Sequence, residues 1–205
     1  MSTETIALTR PTLADRFVPR TAVNNALLIV GGALVVGVSA QLAVPLWPVP
    51  ITGQTLAVLL VGAALGSWRG AASLALYLVA GLAGAPLFAE FSGGLSSVAS
   101  PSFGFIIGFV FAAALIGWLS ERNWDRRPLL SLAGFLAASL VPFLFGLPYL
   151  GAVLGSLGLP NDLNNVLVAG FYPFIIGGVV KLVIAAALLP LAWRAVRALD
   201  ARAKR

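Results

Sequence analysis

The chain contains no cysteine and no histidine. Disulfides, thiol nucleophiles and metal sites built from thiolate or imidazole are therefore excluded, as is any mechanism in which an imidazole relays a proton. Charge is scarce too: Asp, Glu, Lys and Arg make up 10% of the 205 residues, against about a quarter in ordinary water-soluble domains. The acidic residues Glu4, Asp15, Glu90, Glu121, Asp125, Asp162 and Asp200 all fall in segments that read as loops or tails. No carboxylate pair stands at helical spacing for acid–base work, and no nucleophile has a base beside it. There is no GxxxxGK[ST] loop, so the chain hydrolyses no nucleotide through a P-loop of its own. It does not read as an enzyme.

Apolar residues take the place of what is missing. They make up 60% of the chain, with a mean hydropathy of +0.99. Between Arg20 and Arg69 lie 48 residues without charge, between Arg69 and Glu90 20, between Glu90 and Glu121 30, and between Arg127 and Asp162 34. A membrane-spanning helix needs roughly 20 apolar residues, so an all-α integral membrane protein is expected. Pro, Gly and charged clusters cut the apolar runs into six transmembrane segments, 24–44, 52–66, 70–86, 103–120, 128–150 and 171–194. The second and third are short and are expected to tilt or to pack inside the bundle. A cytoplasmic segment 1–23 precedes a transmembrane domain 24–194, and a basic tail 195–205 follows it. The polar first 20 residues hold no cleavable signal, so the first span directs insertion. No internal repeat, filter motif or intramembrane chain of ionisable residues points to an inverted-repeat carrier, a channel or a proton-coupled pump.

The position of the basic residues gives the topology. Arg10, Arg16 and Arg20 precede the first segment, Arg69 follows the second, Arg122, Arg126 and Arg127 follow the fourth, and Arg194, Arg197, Arg202, Lys204 and Arg205 follow the sixth. These loops share one side of a six-helix topology, while 45–51, 87–102 and 151–170 hold neither Lys nor Arg. The positive-inside rule puts both termini in the cytoplasm. The net charge of +6 is thus a topological signal and gives no reason to expect nucleic acid.

One basic residue does not fit that pattern. Lys181 lies in PFIIGGVVKLVIAA, residues 173–186, with no carboxylate beside it. Pro173 suits the first turn of a helix, which sets Lys181 about two turns, roughly 12 Å, into the outer half of the membrane. A charge there costs about 2.5 to 3.5 kcal/mol on insertion scales. Snorkelling to the headgroups is one explanation. The Gly177–Gly178 pair instead suggests close helix packing and an ammonium directed at a solute inside the bundle. The outer loops fit a ligand site: PLWPVPITG at 45–53 is stiff and apolar, and PLFAEFSGGLSSVASPS at 86–102 mixes aromatics, Glu90, a Gly pair and five serines. Trp47 suits an interfacial anchor equally well.

The segments VPITGQTLAVLLVGAALG (49–66), ALYLVAGLAGAPLFAEFSGG (75–94), SPSFGFIIGF (100–109) and PFIIGGVVKLVIAA (173–186), in this order and spacing, resemble the BioY family, the biotin-binding S components of energy-coupling-factor (ECF) transporters. The resemblance covers about residues 24–190. It implies an S-component bundle in the plasma membrane of a prokaryote, capturing biotin from outside in a pocket under the loops after helix 1 and between helices 3 and 4. No cofactor is implied, biotin being the transported ligand. The partners implied are a transmembrane coupling protein and a pair of cytoplasmic ATPases, or further copies of the chain if it works alone. S components dock through small residues of helix 1, and Ala33 and Gly37 offer such a face here; packing within the bundle is the alternative.

The family's last motif reads PF, two residues, GD, two residues, K, and this chain has Gly178 where the Asp is expected. The lysine carries over to Lys181, while the carboxylate does not. A ureido ring offers two N–H donors and one carbonyl, so the pocket needs an acceptor beside the lysine. The expectation is that Lys181 donates to a ligand oxygen, that Glu90, Gln54 or Thr52 supplies polar complementarity, and that Phe88, Phe91, Trp47 or Tyr149 contacts the apolar bicycle and tail. An S component for another vitamin, or an accessory membrane subunit without ligand binding, remains as an alternative.

Overall fold

The computed structural model describes residues 11–203. These form seven α-helices and one two-stranded hairpin. α1 (Ala22–Ala40) starts where the Thr21 hydroxyl accepts the Asn24 N–H at 3.2 Å, satisfying one of the free donors of the first turn. It stops at Ala40 rather than 44, because Ala43 and Val44 (β1) pair antiparallel with Thr52 and Ile51 (β2). Pro45, Pro48 and Pro50 fall in the connection between the strands, where their missing N–H breaks no ladder bond.

α2 (Gln54–Leu65) and α3 (Ser67–Leu82) meet at a one-residue corner, Gly66, whose φ of 89° only glycine adopts without strain. The corner is tied to the end of α4 (Phe103–Ser120) by Glu121, which accepts the Ser67 N–H at 2.8 Å. α4 is the central helix: 67% of it is buried, against 17% of the most apolar window of the last helix. Gly62 of α2 lies so close that a Cβ there would stand 2.7 Å from the Ala113 carbonyl oxygen of α4, an approach no larger residue permits. α5 (Pro128–Ser156) begins on a proline, whose absent N–H costs nothing in the first turn.

The sequence predicts a loop over 151–170. Instead α5 continues to Ser156 and a short helix, α6 (Leu163–Gly170), follows. The reason is local: in NDLNN, Asp162 is extended and accepts the Asn165 N–H at 3.4 Å, an N-cap rather than a loop signal. α7 (Tyr172–Ala203) closes the fold. By length and composition α1, α4, α5 and α7 are able to cross a membrane; α2, at 12 residues, and α3, at 16, are shorter. Leu27, Leu34 and Val38 of α1 and Ile176, Val179 and Val183 of α7 are exposed, as expected where lipid rather than water surrounds the bundle.

The two ends of the bundle differ sharply. At the basic end, Arg69 is 8% exposed and donates to the Leu65 carbonyl at 2.8 Å, to Thr12 Oγ1 at 3.0 Å and to Asp15 Oδ1 at 2.7 Å. Arg20 clasps the same carboxylate at 2.7 and 2.9 Å. The segment before α1 is thereby laid across the α2–α3 corner. Burial alone would raise the Asp15 pKa, but hydrogen bonds from Arg20, Thr12 and Arg69 outweigh it and hold the carboxyl well below the usual range. Nearby, Asp125 is buried and accepts from Trp193 Nε1 of α7, and Arg126 lies 3.8 Å over the same indole. Arg122 stacks 3.5 Å over Trp118. Four of the five tryptophans, Trp68, Trp118, Trp124 and Trp193, stand on the elements of this end.

Candidate functional site

The opposite end holds a cavity of about 660 Å³, within the 300 to 1,000 Å³ usual for small-molecule sites. It lies between the β1–β2 hairpin, the 88–102 loop, the near ends of α2, α4 and α7, and the middle of α5 at Pro142 and Phe143.

One wall is polar. Lys181 of α7 reaches across to the start of α2, where its ammonium donates to the main-chain carbonyl of Thr52 and, at 3.0 Å, to Thr55 Oγ1. An ammonium has three hydrogens, so one is left for a further acceptor. The Thr52 hydroxyl donates to Gln54 Oε1 at 3.0 Å and accepts the Gln54 N–H at 3.3 Å. Gln54 Nε2 in turn donates to the hydroxyl of Tyr77, which is wholly buried on α3. The chain of contacts ends at Phe88, whose ring meets Tyr77 edge-on at 5.3 Å and 70°. Ser96, Ser97, Ser100 and Ser102 bring hydroxyl groups to the other rim.

The facing wall is aromatic. Phe105 of α4 meets Phe143 of α5 at 5.7 Å, nearly perpendicular, and stacks on Phe174 of α7 at 6.3 Å. Phe143 and Phe174 are 6.2 Å apart, and Phe109 continues the wall one turn along α4.

Six of the nine residues expected in the site line this cavity: Lys181, Glu90, Gln54, Thr52, Phe88 and Trp47. The other three stand elsewhere. Phe91 is 70% exposed. Tyr149 gives its hydroxyl to the Val98 carbonyl and packs its ring on Phe103 at 5.9 Å, so it fastens the 95–99 turn instead of lining the pocket. Gly178 lies one turn before Lys181 with nothing within 4 Å of where a Cβ would stand. Gly177 meets only Ile51, at 3.8 Å, so the glycine pair does not mediate the close helix packing expected of it. Ala33 and Gly37 are buried within the chain's own bundle, with Leu87 3.0 Å from a Cβ at Gly37.

The 86–94 loop carries an unusual backbone. Glu90 (φ 58°, ψ 34°) and Phe91 (φ 55°) are both left-handed, at about 1 to 3 kcal/mol each for residues other than glycine. Such a pair persists only where neighbours hold it. Here the Phe88 N–H bonds the Ser92 carbonyl at 3.0 Å, and the Ser92 hydroxyl donates to the Ala89 carbonyl at 2.7 Å.

The family model described as "BioY family" matches residues 10–198. The chain belongs to the BioY family. Two relatives, both named biotin transporter BioY, are those of Rhizobium etli, 37% identical over 148 residues (69% of this chain and 76% of the relative), and Thermotoga maritima, 34% identical over 167 residues (82% and 89%). The fold is shared with the crystal structure of an S-component for biotin from an ECF-type ABC transporter, at a TM-score of 0.63 and 23% identity, over 84% of this chain and 92% of that one. Membership of the BioY family places the chain among transporters rather than enzymes.

Thr55 and the Phe105–Phe143–Phe174 wall join the site only in the structure. Thr55 follows Gln54 directly in a segment already singled out, and Phe174 stands two turns before Lys181 on the same helix face. That spacing was the available signal.

Proposed function

We propose that this chain is the membrane-embedded S component of a biotin uptake system, binding biotin from outside the cell. The observation that carries this is the third hydrogen of the Lys181 ammonium, left over in a cavity with one polar and one aromatic wall. Biotin pairs a ureido ring, which needs donors and acceptors, with an apolar bicycle and tail. Lys181 gives its remaining hydrogen to a ligand oxygen, Glu90 accepts a ureido N–H in place of the carboxylate absent at Gly178, and Phe105, Phe143 and Phe174 take the apolar part.

In this proposal α1 to α5 and α7 all cross the plasma membrane of a prokaryote, with both termini in the cytoplasm. The grouping of Arg20, Arg69, Arg122, Arg126 and Arg127 at the end opposite the cavity supports that orientation. A separate transmembrane coupling protein with a pair of ATPases energises release, or several copies act together if the protein works alone. Equilibrium binding of labelled biotin to the purified, solubilised protein tests the assignment. Saturable binding displaced by unlabelled biotin is expected. A second reading, another vitamin as ligand, draws on Gly178, and is favoured if biotin does not bind and a different vitamin co-purifies.

A further inference from the structure

We infer that Gln41 is a positioning residue of the ligand site, holding Glu90 at the cavity from outside it. Gln41 caps the last turn of α1, where Nε2 donates to the Gly37 carbonyl at 3.0 Å and to the Phe88 carbonyl at 3.1 Å, with Leu87 O at 3.4 Å. Its Oε1 accepts the Phe91 N–H at 2.9 Å. One amide therefore binds an acceptor and a donor on either side of Glu90, and ties both to α1. Only a side chain carrying donor and acceptor at this spacing can do so.

The residue between these two bonds is the one that needs them. Phe88 is anchored independently: it is 2% exposed, lies edge-on to Tyr77, and its ring fills the space where a Cβ on Gly81 would stand, 2.3 Å away. Among the described residues the Glu90 carboxylate makes no hydrogen bond or ion pair, and its backbone is left-handed. A return of residues 90 and 91 to ordinary negative φ would move Glu90 from its place at the cavity lining. The Gln41 amide opposes this return, because the Phe91 N–H it binds belongs to the left-handed turn itself.

The inference rests on Glu90 being a ligand contact, and its test separates the two. Gln41→Met keeps the length and loses the hydrogen bonds. In the full-length solubilised protein it is expected to weaken biotin binding about tenfold with the thermal midpoint little changed. In a Glu90→Ala background the same change is expected to weaken binding less than twofold. Additive losses in the double variant, or parental affinity in Gln41→Met, would overturn it. Gln41→Glu, equal in size and still an acceptor for Phe91, loses the donor and gives a second affinity test should the Met variant fold poorly; its carboxylate faces three carbonyls, and a loss of affinity similar to that of the Met variant is expected. Hydrogen exchange of the 87–92 segment needs no ligand. Faster exchange of the Phe91 amide is expected in Gln41→Met, which loses the acceptor for it, and unchanged exchange in that variant overturns the inference even if the parent binds no biotin.

Discussion

The Lys181 ammonium donates to the main-chain carbonyl of Thr52, joining the last helix to the hairpin that follows the first. A main-chain acceptor leaves the ammonium its charge, which a carboxylate partner would neutralise. The residue is thereby held in place while remaining attractive to an anionic or carbonyl oxygen.

Lys181→Met is expected to weaken biotin binding about 10- to 100-fold, the effect of losing a hydrogen bond from a charged donor worth roughly 1.5 to 3 kcal/mol. Labelled-biotin titration of the solubilised variant is the measurement, and unchanged affinity removes Lys181 from the site.

Glu90→Gln keeps an acceptor but removes the charge. Affinity is expected to fall about 3- to 10-fold in the same titration. Parental binding would mean that Glu90 does not stand in for the missing carboxylate.

Gly178→Asp should fit without displacement, since nothing lies within 4 Å of the new Cβ. Its carboxylate would stand one turn from Lys181. Combined with Glu90→Gln, it is expected to restore most of the affinity that the single variant loses; no recovery would separate the two positions functionally.

Asp15→Asn leaves the buried Arg69 guanidinium without its ion-pair partner. The cost is expected to be about 3 kcal/mol, read as a lowered thermal midpoint at pH 7. The pH dependence has a definite sign. The folded pKa lies below the unfolded one, so the carboxylate stabilises fully above about pH 4 and the contribution is lost as pH falls below that. Parent and variant midpoints should converge in acid.

Asp125 has the opposite sign. Burial pushes its pKa up, outweighing the hydrogen bond from Trp193 and the charge of Arg126. The ionised form is therefore a cost in the folded protein, relieved as pH falls through the raised folded pKa. Asp125→Asn, which can still accept from Trp193, is expected to raise the thermal midpoint at pH 8, with the gain disappearing toward pH 4. A lowered midpoint at pH 8 contradicts this account.

The fold could be read from the sequence wherever charge or proline punctuates it. The bounds 103–120 for α4 and the start of α5 at Pro128 match because Ser120–Glu121 and Arg127–Pro128 mark true helix ends. The cavity's polar wall was legible because a lone lysine stands out in an apolar helix. Its aromatic wall was not. In a bilayer both faces of a helix are apolar, so the periodicity that singles out an inward Phe in a soluble protein is lost, and Phe105, Phe143 and Phe174 look like their neighbours. Of the two aromatics in the 86–94 loop, composition alone does not tell which turns inward: the left-handed backbone at Glu90 and Phe91 leaves Phe88 buried and Phe91 exposed.

The uneven distribution of indoles has a spectroscopic consequence. Trp47 lines the cavity and is 71% exposed, while Trp68, Trp118, Trp124 and Trp193 stand on the elements of the far end. Replacing those four with phenylalanine would leave a chain whose only intrinsic long-wavelength emission comes from the mouth of the pocket. A ligand entering beside Trp47 would then shift or quench that emission, so that occupancy could be followed in real time without a label.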